Sequence, residues 1–121
     1  MSFPCPASVS NESRSIPGLK TQKTLKESVS ADGIGVFTGE KVSIRICPAE
    51  KDAGIIFQRV DLSNKPILPA KLEFVQGTPR CTVIGDKGVC VQTVEHILAA
   101  FKAYGIDNAL IEMSGSEVPI F

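Results

Sequence analysis

Residues 41–47 carry the clearest pattern in the chain. Val42, Ile44 and Ile46 alternate with Lys41, Ser43 and Arg45, which is the period of a half-buried strand in an antiparallel sheet. Residues 93–105, TVEHILAAFKAYG, follow a helical period instead. At about 100° per residue, Ile97, Leu98 and Phe101 stay within roughly 60° of Val94 and make one apolar stripe. Glu95 lands on the flank of that stripe, and His96 falls near the opposite side. The histidine therefore faces away from the core that its own helix buries. Thr93 is expected to cap the helix through its hydroxyl. Gly105 is expected to end it as a left-handed residue, with Lys102 in the last turn to complement the dipole.

The other segments are mostly extended. Residues 24–31 read as a strand closed by an Asp32-Gly33 turn, with 34–37 extended beyond it and 38–40 turning again. Residues 55–60 give a fourth strand between loops at 48–54 and 61–65. Residues 67–74 are extended, and Pro66 just before them and Pro69 within them put them at an edge or outside the ladder. A short second helix falls within 68–80. Residues 81–84 and 89–92 flank Gly85-Asp86-Lys87-Gly88, a hairpin with a four-residue loop. Residues 109–113 are a further strand, 114–117 a loop, and 118–121 an extended apolar end.

Strands dominate and do not alternate with helices. The fold class is therefore α+β: a mainly antiparallel sheet packed on one face by one main helix, in two layers. The stripe of the helix is expected to meet Val42, Ile44, Ile46, Ile56, Val83 and Ile111.

Residues 1–20 hold three prolines and five serines and show no period, so they read as a disordered tail, leaving 21–121 as one domain. The tail lacks the apolar run of a secretory signal. It is rich in serine and poor in acid, so an organelle transit peptide is the alternative to a cytoplasmic location. Lys plus Arg and Asp plus Glu balance at 13 each, which gives no electrostatic footprint for nucleic acid. No apolar run approaches the length of a membrane span. Cys5, Cys47, Cys81 and Cys90 are widely spaced, and read as reduced thiols rather than as a disulfide framework or zinc knuckle. The apolar end at Phe121 suggests a chain cut inside a longer protein.

The candidate chemistry lies at the head of the helix. Partial positive charge there disfavours a cationic imidazole and favours an anionic carboxylate. A neutral imidazole is the form that ligates metal, so Glu95 and His96 suit a base beside a metal ligand. Taken alone, two adjacent residues also suit a plainer account, a dipole complement next to an exposed polar side chain.

Five segments in order carry more weight: GIGVFTGEKV at 33–42, AGIIFQRVDL at 53–62, TVEHILAA at 93–100, GIDNA at 105–109 and EVPI at 117–120. Together they resemble the N-terminal domain of the UDP-3-O-acyl-N-acetylglucosamine deacetylases, zinc enzymes of the committed step in lipid A synthesis. The resemblance covers about residues 20–121. It implies two α+β domains facing each other across an active site. It makes His96 the zinc ligand of the first domain and Glu95 the general base. It places Cys81 and Thr82 in a strand that approaches the substrate. The remaining histidine and aspartate ligands belong to the family's C-terminal domain, which is not in this sequence. One zinc ligand of three is thus present, so the 121-residue chain is expected to be inactive by itself. Phe37 departs from the family, where many members have histidine. The competing account is a binding or interaction module that keeps the fold without the chemistry.

Overall fold

The computed structural model describes residues 9–11, 21–77, 82–86 and 88–119. Among them the chain forms β1 (Val9–Asn11), β2 (Lys23–Leu25), β3 (Val29–Ile34), β4 (Lys41–Pro48), β5 (Ile55–Arg59) and β6 (Ile67–Pro69). A single 3-10 turn, Leu72–Phe74, leads into β7 (Val75–Gly77), β8 (Thr82–Asp86) and β9 (Val89–Gln92). The helix α1 (Glu95–Tyr104) and β10 (Ala109–Met113) follow. The class is α+β with mostly antiparallel strands, as the pattern predicts.

The main sheet has the order β3-β4-β10-β5-β6. β10 is its axis. It pairs antiparallel with β4, Ile111 opposite Ile46, and parallel with β5, Ile111 opposite Phe57. The inward side of β4 is Val42, Ile44 and Ile46, all buried, while Lys41, Ser43 and Arg45 face out. Val94, Ile97 and Phe101 of the helix region join these residues, Phe57, Leu68, Ile111 and Met113 in one apolar cluster. Each such side chain taken from water contributes roughly 1.5–3 kcal/mol. A smaller sheet, β7-β8-β9, supplies Ile84 and Val91 to the same cluster. β1 pairs with β2 in a third, two-stranded sheet. β1 falls inside the segment read as a tail; residues 1–8 and 12–20 lie outside the described residues.

Several local expectations give way. Ile56 and Val83 are only half-buried, and Phe57 and Ile84 beside them fill the core. A register shift of one residue exchanges the two faces of a strand, and both segments have apolar residues at consecutive positions, so the pattern does not select a face. Asp32-Gly33 does not turn. It continues β3 in register with Ser43 and Val42, and the chain breaks earlier, between β2 and β3. The hairpin ladder runs on to Asp86 opposite Val89, so the loop has two residues rather than four. The edge position of β6 and a short helical turn within 68–80 are as expected.

Phe57 is fully buried at the point where β5 meets β10. Phe57→Ala is expected to cost about 3–5 kcal/mol of stability, read as the shift in urea-unfolding midpoint. A loss below about 1 kcal/mol would contradict this placement of the core.

Candidate functional site

The helix begins one turn's edge later than the pattern predicts. Thr93 is not its N-cap; Val94 occupies that position, in right-handed helical geometry and without a side-chain cap bond. Thr93 itself has φ +61°. A β-branched residue in the left-handed region is a genuine outlier and costs on the order of 1–3 kcal/mol. Its N–H donates to the Thr82 carbonyl at 2.9 Å. Its hydroxyl, which sequence assigns to the helix, donates instead to Glu117 Oε2 at 2.8 Å. The other end behaves as expected: Gly105 takes φ +70° and its N–H returns to Lys102 and Phe101 carbonyls.

Sequence reasoning passes over Glu117 as part of a loop. It is 0% exposed. Its carboxylate accepts the Thr38 N–H at 2.9 Å, the Phe37 N–H at 3.1 Å and the Thr93 hydroxyl at 2.8 Å. Val36 and Phe37, expected to be extended, therefore join Thr38 in the turn. It is closed by Gly39 N–H to the Gly35 carbonyl at 3.0 Å. Gly35 has no room for a side chain, because a Cβ there would overlap Glu117 Oε1 and lie 2.5 Å from Thr38 Oγ1. Burial pushes the Glu117 carboxyl up, but bonds from the Thr38 N–H, the Thr93 hydroxyl and the Phe37 N–H outweigh it and hold the group below its ordinary value of 4.5. Its place at the head of the EVPI segment was the available signal, and periodicity alone cannot separate it from an exposed glutamate.

Glu95 and His96 emerge at the head of α1. His96 is exposed, as the helical projection predicts, and makes no hydrogen bond among the described residues. Glu95 is half-buried. Its Oε2 accepts the Thr82 N–H at 3.0 Å. Its Oε1 is buried and accepts no hydrogen bond. Buried carboxylate oxygens are normally satisfied, so this orphan makes the head of the helix the candidate site. Thr82 is thus brought to the pair by its backbone. Cys81 lies outside the described residues. No cluster of three or more His, Cys, Asp or Glu side chains is assembled among the described residues. His96 can serve as one metal ligand, and the rest of a coordination shell has to come from elsewhere.

Comparison with known proteins gives this arrangement a family. Residues 22–121 match the family model of UDP-3-O-acyl N-acetylglycosamine deacetylase. The chain belongs to that family. The UDP-3-O-acyl-N-acetylglucosamine deacetylase of Saccharophagus degradans is 50% identical over 99 residues, 82% of this chain and 33% of the relative. Those of Teredinibacter turnerae and Thermodesulfovibrio yellowstonii are 48% and 46% identical over the same length and shares. The chain therefore spans about a third of the length of the deacetylases that it matches. No helix among the described residues is long and apolar enough to cross a membrane.

The Glu117 pairing has a pH signature. A folded-state pKa below the unfolded one contributes stability that is full above the ordinary value of 4.5 and fades as pH falls through the folded value. Asp61, held down chiefly by its hydrogen bond from Arg59, contributes in the same direction. Glu117→Gln is expected to be less stable than the parent at neutral pH and to lose less stability on acidification. Comparing melting temperatures at about pH 6 and about pH 3.5 isolates the difference, because Asp61 is common to both. Parallel acid losses would contradict the pairing.

Proposed function

We propose that the chain is the first part of a zinc-dependent deacetylase that hydrolyses the N-acetyl group of UDP-3-O-acyl-N-acetylglucosamine in lipid A synthesis. The observation that carries this is the unpartnered, buried Glu95 Oε1 one residue before the exposed His96 at the head of α1. The names of the relatives support the substrate and the reaction. A binding module with the same fold would gain nothing from a buried carboxylate oxygen without a donor, which costs stability. We place the protein in the cytoplasm, where nucleotide sugars are handled; a transit role for residues 1–20 would move it to an organelle.

The residues fit one part of a zinc site: His96, exposed and without a hydrogen bond among the described residues, would hold the metal through a ring nitrogen. Zinc supplies a Lewis acid there, lowering the pKa of water toward about 7 and polarising a carbonyl. The chain's own contribution is the base. Glu95 Oε1 takes the proton of the water as it attacks the acetyl carbonyl carbon. Oε2 stays on the Thr82 N–H, which holds the carboxylate in one orientation. Rupture of the C–N bond, with protonation of the departing nitrogen, gives acetate and a free glucosamine amine. Thr82, the first residue of β8, lines the approach of the sugar, and the family resemblance assigns the same role to Cys81.

In the intact protein with zinc, Glu95→Gln is expected to lower kcat by about 10²–10⁴ and leave KM nearly unchanged. His96→Ala is expected to lower the zinc content per protein as well as kcat. Full activity in Glu95→Gln would refute the assignment. The 121-residue chain alone brings one ligand, so equilibrium dialysis is expected to find only weak zinc binding; a stoichiometric site of nanomolar affinity would contradict the ligand count.

A further inference from the structure

We propose that Glu117 and Thr93 are a positioning pair that aims the Glu95–His96 head of α1; the proposal rests on the assignment of Glu95 and His96 as base and metal ligand. Neither residue reaches the reacting atoms. Their effect is carried by a short series of hydrogen bonds. Glu117 Oε2 accepts the Thr93 hydroxyl at 2.8 Å. The Thr93 N–H is held by the Thr82 carbonyl at 2.9 Å. The Thr82 N–H, on the same residue, donates to Glu95 Oε2 at 3.0 Å. The orientation of the Glu95 carboxylate and the backbone at residue 93 are therefore fixed against the same strand.

Thr93 is the residue at which the backbone turns from β9 into the helix. With φ +61° it adopts a conformation that glycine or asparagine would take more easily. Strained residues persist where surrounding bonds over-determine them, and they concentrate at functional sites. The hydroxyl is what a glycine or asparagine at this position would lack, and its acceptor is a carboxylate already anchored elsewhere. Val118 N–H to the Gln92 carbonyl at 3.0 Å and Gln92 N–H to the Ser116 carbonyl at 2.8 Å lock the backbone on both sides of Glu117 to the strand that leads to Thr93. The carboxylate also collects the Phe37 and Thr38 N–H groups. A single anion thus fixes the turn at 36–38 and the head of the helix relative to each other. The missing Cβ of Gly35 is what lets the turn approach.

The test uses the intact protein and two readouts. The first is deacetylation with zinc, per folded molecule, well below the melting temperature. The second is amide hydrogen exchange at Thr82 in the metal-free protein. Thr93→Val keeps the branched shape and removes the hydroxyl; Thr93→Ser keeps the hydroxyl. Thr93→Val is expected to lower kcat about tenfold, since a misplacement on the order of 1 Å has effects of that size or larger. KM should stay within about twofold, because no side chain proposed to meet the sugar is replaced. Thr82 exchange should accelerate. Thr93→Ser should restore both. Glu117→Asp, one methylene shorter, should reproduce the loss, and it keeps the test open if Thr93→Val does not fold. Parental kcat and parental Thr82 protection in the folded variants would overturn the proposal, as would equal loss in the serine and valine variants. If the parent protein with zinc releases no acetate, the functional assignment of Glu95 and His96 fails on that result, and the exchange data alone decide whether the pair positions Glu95.

Discussion

The buried carboxylate of Glu117 is the constraint on which the site depends. An ionised group withdrawn from water is costly unless its lone pairs are met. Here they are met by two backbone N–H groups and a hydroxyl, from segments about 80 and 24 residues away in sequence. Because each donor must be present for the burial to be tolerable, the turn, the strand junction and the start of α1 are specified together. Apolar burial in the main sheet stabilises the domain, but apolar contact is non-directional and would accept small displacements of the helix. The carboxylate does not accept them.

Glu117 and Glu95 are linked through Thr93 and Thr82 and differ in their hydrogen bonding. Glu117 has both oxygens engaged by donors, and its pKa is held below the ordinary value. Glu95 has one oxygen on a backbone donor and the other buried without one. The first arrangement resists both movement and protonation, which suits a fixed point. The second leaves one oxygen without a donor, which suits the part proposed for it as a base. Environment, and not residue type, divides the two roles.

The sequence made the frame of the fold legible wherever one face of an element is wet. β4 and α1 show this plainly: Lys41, Ser43 and Arg45 mark the outer face of the strand, and the stripe from Val94 to Phe101 marks the inner face of the helix. Where apolar residues run consecutively, as at Ile55-Ile56-Phe57 and Val83-Ile84, the face is chosen by neighbouring strands and cannot be read locally. The same holds for Asp32-Gly33, whose local preference for turning is overridden by six residues of pairing with β4. Of the site, Glu95 and His96 were legible because their helical phase places them off the core stripe. Thr93 was legible as a residue that caps, but not as one that caps something other than its own helix. Glu117 was illegible, since its partners are fixed only after the chain has folded.

Those failures share a cause. Local rules assume that each residue serves the element it belongs to, and natural sequences obey them except where another demand prevails. Thr93 breaks two at once: it declines to cap α1, and it accepts a backbone conformation that its branched side chain disfavours. A core residue would gain nothing from either departure. The departures become intelligible once the hydroxyl is counted as a tie between Glu117 and the residue that starts the helix. The strain at residue 93 is then the cost of holding Glu95 and His96 at a fixed angle to the strand that carries Thr82. That angle is what the base and the metal ligand proposed for this helical turn would both depend on.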